Sequence, residues 1–254
     1  MPAMEAGFPT QQPEQLTGLS QIERVADAYV APTKTFDDIR RDASWWLPFL
    51  LTILVSLAFA YSVDRHIGFD RVAQVNIDRN VQAQERLGSL TDAQREKSMR
   101  FIATAMKVGS YAAPLIGLIF ALLAAGILMM SFNFGLGGRG SYQQYLAVWF
   151  YAGLPFVLKF LLAAITIFAG VSAEQFDIRN PIGTNIGWYL PSDIPQWLRT
   201  LFSSADVFTL WVVILLVLGC STVARVKRSN AAIIVFGWWI LIVFFSTVVA
   251  AIQG

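Results

Sequence analysis

One cysteine and one histidine are all this chain has of the two side chains most used to hold metals. Cys220 lies inside an apolar segment, so neither an intramolecular disulfide nor a cysteine-based metal site can form. His66 stands beside Asp64 and Arg65 with no convergent partners in the sequence, which reads as a polar interface residue rather than a ligand or proton relay. Charge is scarce too. Charged residues make up 14% of the chain, against about 25% in a soluble domain, too few to cover a water-facing surface. There is no Walker lysine motif, no HExxH and no serine-nucleophile elbow, so neither an enzymatic activity nor a cofactor is expected. Nor is a basic run interleaved with stacking aromatics in a polar region, so no nucleic acid is expected as a partner. The first forty residues lack an apolar core, which leaves targeting to the first membrane helix.

What the chain does have is hydrophobic: 56% of its residues, including 19 phenylalanines and 8 tryptophans. Five apolar segments, about 45–63, 108–132, 145–170, 207–224 and 231–252, each reach the roughly 17–25 residues that cross a hydrocarbon core. In lipid the backbone must satisfy itself, so each is expected to be a helix. The expected fold is an all-α, five-span membrane bundle. Trp45 and Trp46 sit where an aromatic belt belongs.

Outside the spans the pattern changes. Residues 1–19, with Pro2, Pro9 and Pro13 and no apolar period, are expected to form a disordered tail. Residues 20–44 carry two amphipathic helices. Ser20-Gln-Ile-Glu23 fits a capping box, and Ile22, Val25, Ala26 and Tyr29 share one face. Pro32 ends that helix; Thr33 or Thr35 caps the next, whose apolar residues are Phe36 and Ile39. These helices suit a membrane surface, a docked partner or packing against the bundle. The loop 64–107 is expected to be helical. Phe69–Arg86 alternates charges like a solvated helix, Leu87-Gly88-Ser89-Leu90 breaks it, and the Thr91-Asp-Ala-Gln94 capping box starts a helix that runs into the second span. The loop from Val171 to Ser204 is rich in turn formers, among them Asn180-Pro181, and its Trp188, Tyr189 and Trp197 suit the headgroup level.

Orientation follows from Arg225, Lys227 and Arg228, which crowd the turn between the last two spans, while no Lys or Arg follows the fifth. The positive-inside rule places the N-terminus in the cytoplasm and the C-terminus outside, in the inner (plasma) membrane if the cell is bacterial.

Two features bear on chemistry. Gly135-Leu-Gly137-Gly-Arg-Gly140 matches GxGxxG, but a membrane helix precedes it and the next acid is Glu174, so it reads as a flexible connector. Pro155 and Lys159 lie inside the third span. A proline there removes a donor from its own helix, and a charge near mid-bilayer costs about 2.5–3.5 kcal/mol on insertion scales. The ammonium needs a partner; Asp206, Glu174 or a carbonyl freed by Pro155 are the choices. Lys159, Pro155, Asp206, Asn180, Pro181, Trp45 and Trp46 are the candidate site residues.

Five stretches carry a family likeness: PTKTFDDIRRDASWWLPFLL from Pro32, YAGLP from Tyr151, NPIGTNIGWYL from Asn180, SSADVFTLW from Ser203 and VKRSNAAIIVFGWW from Val226. In order and spacing they resemble the prokaryotic branch of the Yip/Yif family of Ypt/Rab-interacting membrane proteins, over about residues 30–252. The resemblance implies five membrane helices, a cytoplasmic N-terminus and a short outer C-terminus. In eukaryotic relatives it implies a link to small GTPases and vesicle traffic. Just before the first helix those relatives carry an acidic Tyr-Gly-Pro-Phe-Trp-like motif, to which Asp42, Trp46, Pro48 and Phe49 correspond in part. The resemblance supplies no reaction. The expected function is a non-enzymatic scaffold or adaptor in membrane organisation or trafficking, with the lipid bilayer and membrane or cytoplasmic proteins as partners. The alternative is a small-solute or ion transporter or channel built around Pro155 and Lys159.

Overall fold

Helix is the one structure that a chain in hydrocarbon can complete locally, and it dominates the computed structural model, which describes residues 18–78, 80–170, 176–191 and 194–253. Residues 1–17 of the expected disordered tail lie outside them. α1 (Gln21–Val30) opens on the expected capping box: the Glu23 amide donates to the Ser20 hydroxyl at 3.3 Å, and the Ser20 amide donates to Glu23 Oε2 at 2.7 Å. After Ala31 the chain turns into α2 (Pro32–Ile39), with Pro32 at the first helical position, where its missing N–H costs nothing. Neither threonine caps α2. Ala31 is the N-cap, and the buried Thr35 hydroxyl donates instead to the Arg24 carbonyl at 2.9 Å, tying the two helices into a hairpin.

Half of the expected apolar face of α1 turns inward, with Val25 and Tyr29 packed against the core. Ile22 is 76% exposed and Ala26 faces out, whereas Arg24 and Ala28 are completely buried. The side chain that sets the rotation of the helix is therefore the arginine, which has carboxylates on the far side of the hairpin to meet.

Next comes α3 (Trp46–His66), followed by α4 (Phe69–Asp78) and α5 (Val81–Gly88). Phe69–Arg86 is thus two helices, and the first is not merely solvated. Phe69, Val72, Ala73 and Ile77 recur at helical spacing and are buried, with α4 lying on α6 (Asp92–Leu136). The charges between them hid this stripe. α6 runs without interruption for 45 residues from the Thr91 capping box, about 68 Å at 1.5 Å per residue, so it crosses the bilayer and projects well beyond it. The third span is broken: α7 (Tyr142–Ala152) gives way at Gly153 to α8 (Leu154–Phe168), with Pro155 in its first turn. A 3-10 turn (Ile186–Tyr189) and α9 (Gln196–Ser204) lead to α10 (Val207–Ala224) and α11 (Arg228–Gln253). Five helical segments are long and apolar enough to cross a membrane. No strand occurs among the described residues; one isolated bridge joins Asn185 to Asp206.

The bundle has two unlike ends. The hairpin and the 137–141 and 225–227 turns lie at one, and the 64–107 and 176–206 loops at the other. The GxGxxG stretch at the hairpin end is a pinned turn rather than a loose connector. Gly137 takes the left-handed C-cap position at φ 68°, Asn133 Nδ2 donates to the Gly140 carbonyl at 2.8 Å, and the Tyr145 hydroxyl donates to Asn133 Oδ1 at 2.9 Å.

α10 is the axle: 61% of its apolar window is buried inside the protein, against 6% for α11 at the edge. α2 and α7 press on α10 from one side. Phe36 of α2 is completely buried in the same core as Val148, Tyr151, Leu215 and Cys220. The hairpin is therefore a wedge within the bundle. Gly219 makes this possible. A Cβ there would lie 2.6 Å from Val148 Cγ1 and 2.9 Å from Phe36 Cε1. Gly219→Leu is expected to destabilise the protein by about 1–3 kcal/mol through overpacking, seen as a lower melting temperature in detergent. Gly117→Ala, where a Cβ meets nothing within 4 Å, is expected to leave it unchanged or raise it.

Candidate functional site: two closed charge clusters

Lys159 follows the break in the third span, and the hairpin that holds Arg24 docks on it. Proline cannot donate to the preceding turn, so the helix restarts at Leu154, and the Leu154 carbonyl accepts the Tyr29 hydroxyl of α1 at 2.8 Å. Tyr29 also sets its ring edge-on to Trp211 of α10 at 5.7 Å. The hairpin is thus docked where the span is interrupted, and the buried Pro155 marks that seat.

One turn beyond Pro155, Lys159 leans toward the loop end. Its ammonium donates to Asp206 Oδ2 at 3.0 Å; the lysine side chain is 12% exposed and the aspartate 2%. Of the three partners open to it, Asp206 is the one it meets, and Glu174 lies outside the described residues. The carboxylate is shared further. Its Oδ2 accepts the Thr184 hydroxyl and, at 3.4 Å, Asn185 Nδ2. Its Oδ1 caps α10 by accepting the Phe208 and Thr209 amides at 3.0 and 3.2 Å. Asn185 and Asn180 exchange amide hydrogen bonds at 2.6 and 3.1 Å, and the buried Pro181 follows Asn180 in the turn. One aspartate therefore holds a lysine from the broken span, the start of α10 and the outer loop. Burial pushes the Asp206 carboxyl up. The Thr184 hydroxyl and the Lys159 ammonium pull it down by more, and it ends below the usual carboxylate range.

The second cluster lies at the hairpin end. Arg24, with no exposed side-chain surface, donates through Nε to Asp38 at 2.5 Å. Through Nη1 it donates to the Asp42 carbonyl, and through Nη2 to the Asp42 carboxylate, both at 2.9 Å. Arg41 meets the other oxygen of Asp38 at 3.0 Å. Gln21 Oε1 accepts the Tyr151 hydroxyl at 2.9 Å, so α1 is bonded to α7 as well. A third pair, Lys107 with Asp64 at 2.9 Å, joins α6 to α3 at the loop end, and Tyr111 donates to the same carboxylate at 3.2 Å.

The predicted site residues divide between the two ends. Lys159, Asp206, Asn180 and Pro181 converge. Trp45 and Trp46 are at the opposite end: Trp45, half-buried, stacks on Phe150 at 5.0 Å and 12° against the core, and Trp46 is exposed. Sequence reasoning missed Arg24, Thr184, Asn185 and Arg199, whose guanidinium donates to the Gly187, Leu190 and Pro191 carbonyls. An arginine inside an otherwise amphipathic face was the available signal for Arg24. Asn185 stands at the N-cap of the 3-10 turn, a position its residue type favours. His66 sets its ring against Phe168 at 4.6 Å, and no group of three potential metal ligands occurs among the described residues.

An all-α bundle with five membrane-crossing segments, its interior charges paired across segments, defines a polytopic integral membrane protein. A family model for the Yip1 domain matches residues 26–250. The chain belongs to that family, and the match begins midway through α1, so it takes in the second half of α1 and all of α2 as well as the spans. No curated protein and no solved structure matches the chain.

Asp206→Ala is expected to cost about 3–5 kcal/mol, because it strands the Lys159 charge and removes a helix cap. Lys159→Met is expected to cost less, since Thr184, Asn185 and two amides still hold the carboxylate. A double-mutant cycle of unfolding in detergent measures the difference. Because the carboxyl lies below its unfolded range, its contribution is present above about pH 4. It is lost as pH falls through the folded value, so the two variants should converge on the wild type in acid.

Proposed function

We propose that the protein is a non-enzymatic membrane scaffold or adaptor of the Yip type, acting in membrane organisation or trafficking. The observation that carries this reading is how the interior charges are used. Arg24 and Lys159 each bind a carboxylate from a different segment. An ammonium held by a buried carboxylate that is itself bonded to a hydroxyl and two amides is a staple, costly to open and ill suited to exchange with a passing solute. Charges spent in this way leave a rigid body whose surfaces, rather than its interior, are free to act. The outer face of the hairpin, with Ile22 and Val30 exposed, is the surface offered to protein partners.

Photo-crosslinking residues placed at Ile22 and Val30 in the full-length protein in native membranes are expected to give protein adducts. The same probe at Ile165 and Leu115, on lipid-facing flanks, is expected to give lipid adducts alone. Lipid adducts alone at all four positions would sink the adaptor reading.

One observation favours the transporter reading: a charge one turn past a helix break, the arrangement in which discontinuous helices bind ions. In proteoliposomes with a proton-sensitive dye, the scaffold reading expects Lys159→Met and wild type to give the same baseline leak. A wild-type flux that Lys159→Met abolishes would establish transport instead.

A further inference from the structure

We propose that the hairpin end carries a binding site for the phosphodiester headgroup of an anionic phospholipid, built from Arg139, Arg225, Lys227 and Arg228. These residues belong to two turns that touch. The Arg139 amide donates to the Ala224 carbonyl at 3.3 Å, and a Cβ on Gly138 would lie 3.0 Å from that of Ala224. All four side chains are exposed. The ion pairs among the described residues engage other cations: Arg24, Arg41, Arg100, Lys107 and Lys159. Carboxylates are missing from the segments that frame the cluster, since no Asp or Glu occurs from residue 97 to 173 or after Asp206. Asp38 and Asp42 of the hairpin are already engaged by Arg24. Four exposed cations thus share two touching turns, with the remaining hairpin acids Glu23, Asp27 and Asp37 on α1 and α2, and a phosphodiester is an anion that guanidinium groups hold in bidentate fashion.

The position of the cluster selects a lipid over a soluble anion. α6 ends at it and α11 begins at it. Between these helices, Phe134, Met130 and Ile233 are exposed beside Trp238, whose indole N–H donates to the Ser131 hydroxyl at 3.1 Å. An acyl chain lying on this apolar strip would place its headgroup among the cations.

Arg225 adds an independent sign. It is the one non-glycine residue with positive φ among the described residues (φ 58°, ψ 43°). α6 ends on a residue in the same left-handed conformation, and there the sequence uses Gly137. At the end of α10 an arginine is kept where the backbone prefers glycine, as strained positions at ligand clamps often are.

The test compares retention of phosphatidylglycerol and phosphatidylcholine on the purified full-length protein by native mass spectrometry, together with the stabilisation each lipid gives in a thermal melt. Each cation at an anionic surface multiplies affinity about fivefold. Arg139→Gln/Lys227→Gln/Arg228→Gln is therefore expected to weaken phosphatidylglycerol binding about a hundredfold and leave phosphatidylcholine unchanged. Arg86→Gln/Arg95→Gln/Lys97→Gln removes the same charge from the loop end and is expected to change neither. Arg225→Gly is expected to raise the melting temperature in neutral detergent while lowering phosphatidylglycerol retention. That pairing of opposite signs is not what a merely structural residue gives. Equal losses in the two triple variants, or an Arg225→Gly variant that keeps full retention, would overturn the proposal. Glycerophosphoglycerol, the same headgroup without acyl chains, is expected to compete poorly; competition equal to the lipid would assign the cluster to a soluble phosphate instead.

Discussion

A charged side chain in a low-dielectric interior must find its counter-charge within the protein, and the architecture here follows from that requirement. Lys159 cannot reach bulk water without abandoning α8, so the chain brings Asp206 to it. Asp206 in turn cannot be left as a bare carboxylate, so it collects the Thr184 hydroxyl, the Asn185 amide and the first two amides of α10. What began as the need of one ammonium ends by fixing the outer loop, the entry to the central helix and the orientation of the broken span. Replacing such a pair by apolar residues of similar volume is often neutral for stability. Its value lies in register: α8 and α10 have one relative position in which this lysine and this aspartate meet.

At the opposite end the same requirement builds the hairpin. Arg24 is buried with two carboxylates and a carbonyl around it, and its own carbonyl receives Thr35. These bonds make α1 and α2 a unit before any contact with the spans. The unit then offers Phe36 and Ile39 to the core and Tyr29 to the carbonyl at the helix break. Pro155, Tyr29, Phe36 and Gly219 meet at one seat: the Leu154 carbonyl in the first turn of α8 accepts the Tyr29 hydroxyl, and the glycine supplies room for Phe36. A pair of helices with the composition of a membrane-surface element is thereby made part of the membrane body. Its polar outer face and the adjacent basic turns become the surface at that end.

Much of this was readable in the chain. The Ser20 and Thr91 capping boxes, the five apolar lengths, the uninterrupted run from Thr91 into the second span and the partnership open to Lys159 all rest on local rules: hydrogen-bond satisfaction, 1.5 Å of rise per residue and the cost of an isolated charge. The errors have a common cause. Ile22 shares an apolar face with Val25 and Tyr29 by spacing, yet it is exposed while Arg24 is buried against Asp38 and Asp42. Thr35 was assigned to a cap, but the Arg24 carbonyl in α1 used its hydroxyl instead. Trp45 was assigned to the interface, and its half-buried ring also stacks on Phe150 at the edge of the core. In each case the deciding partner is distant in sequence.

The sequence by itself determined the class, the number of crossings and the helix starts at the Ser20 and Thr91 capping boxes, because those depend on neighbours within one or two turns. Tertiary structure alone decided which face of α1 is inside, that α10 rather than the broken span is the central helix, and that Lys159, Thr184, Asn185 and Asp206 form one cluster. The reason is that a helix presents every residue to some direction, and periodicity cannot say which direction holds protein and which holds lipid when both are apolar. Charge and hydrogen bonding can say so, but only once the segments that carry the partners are placed side by side.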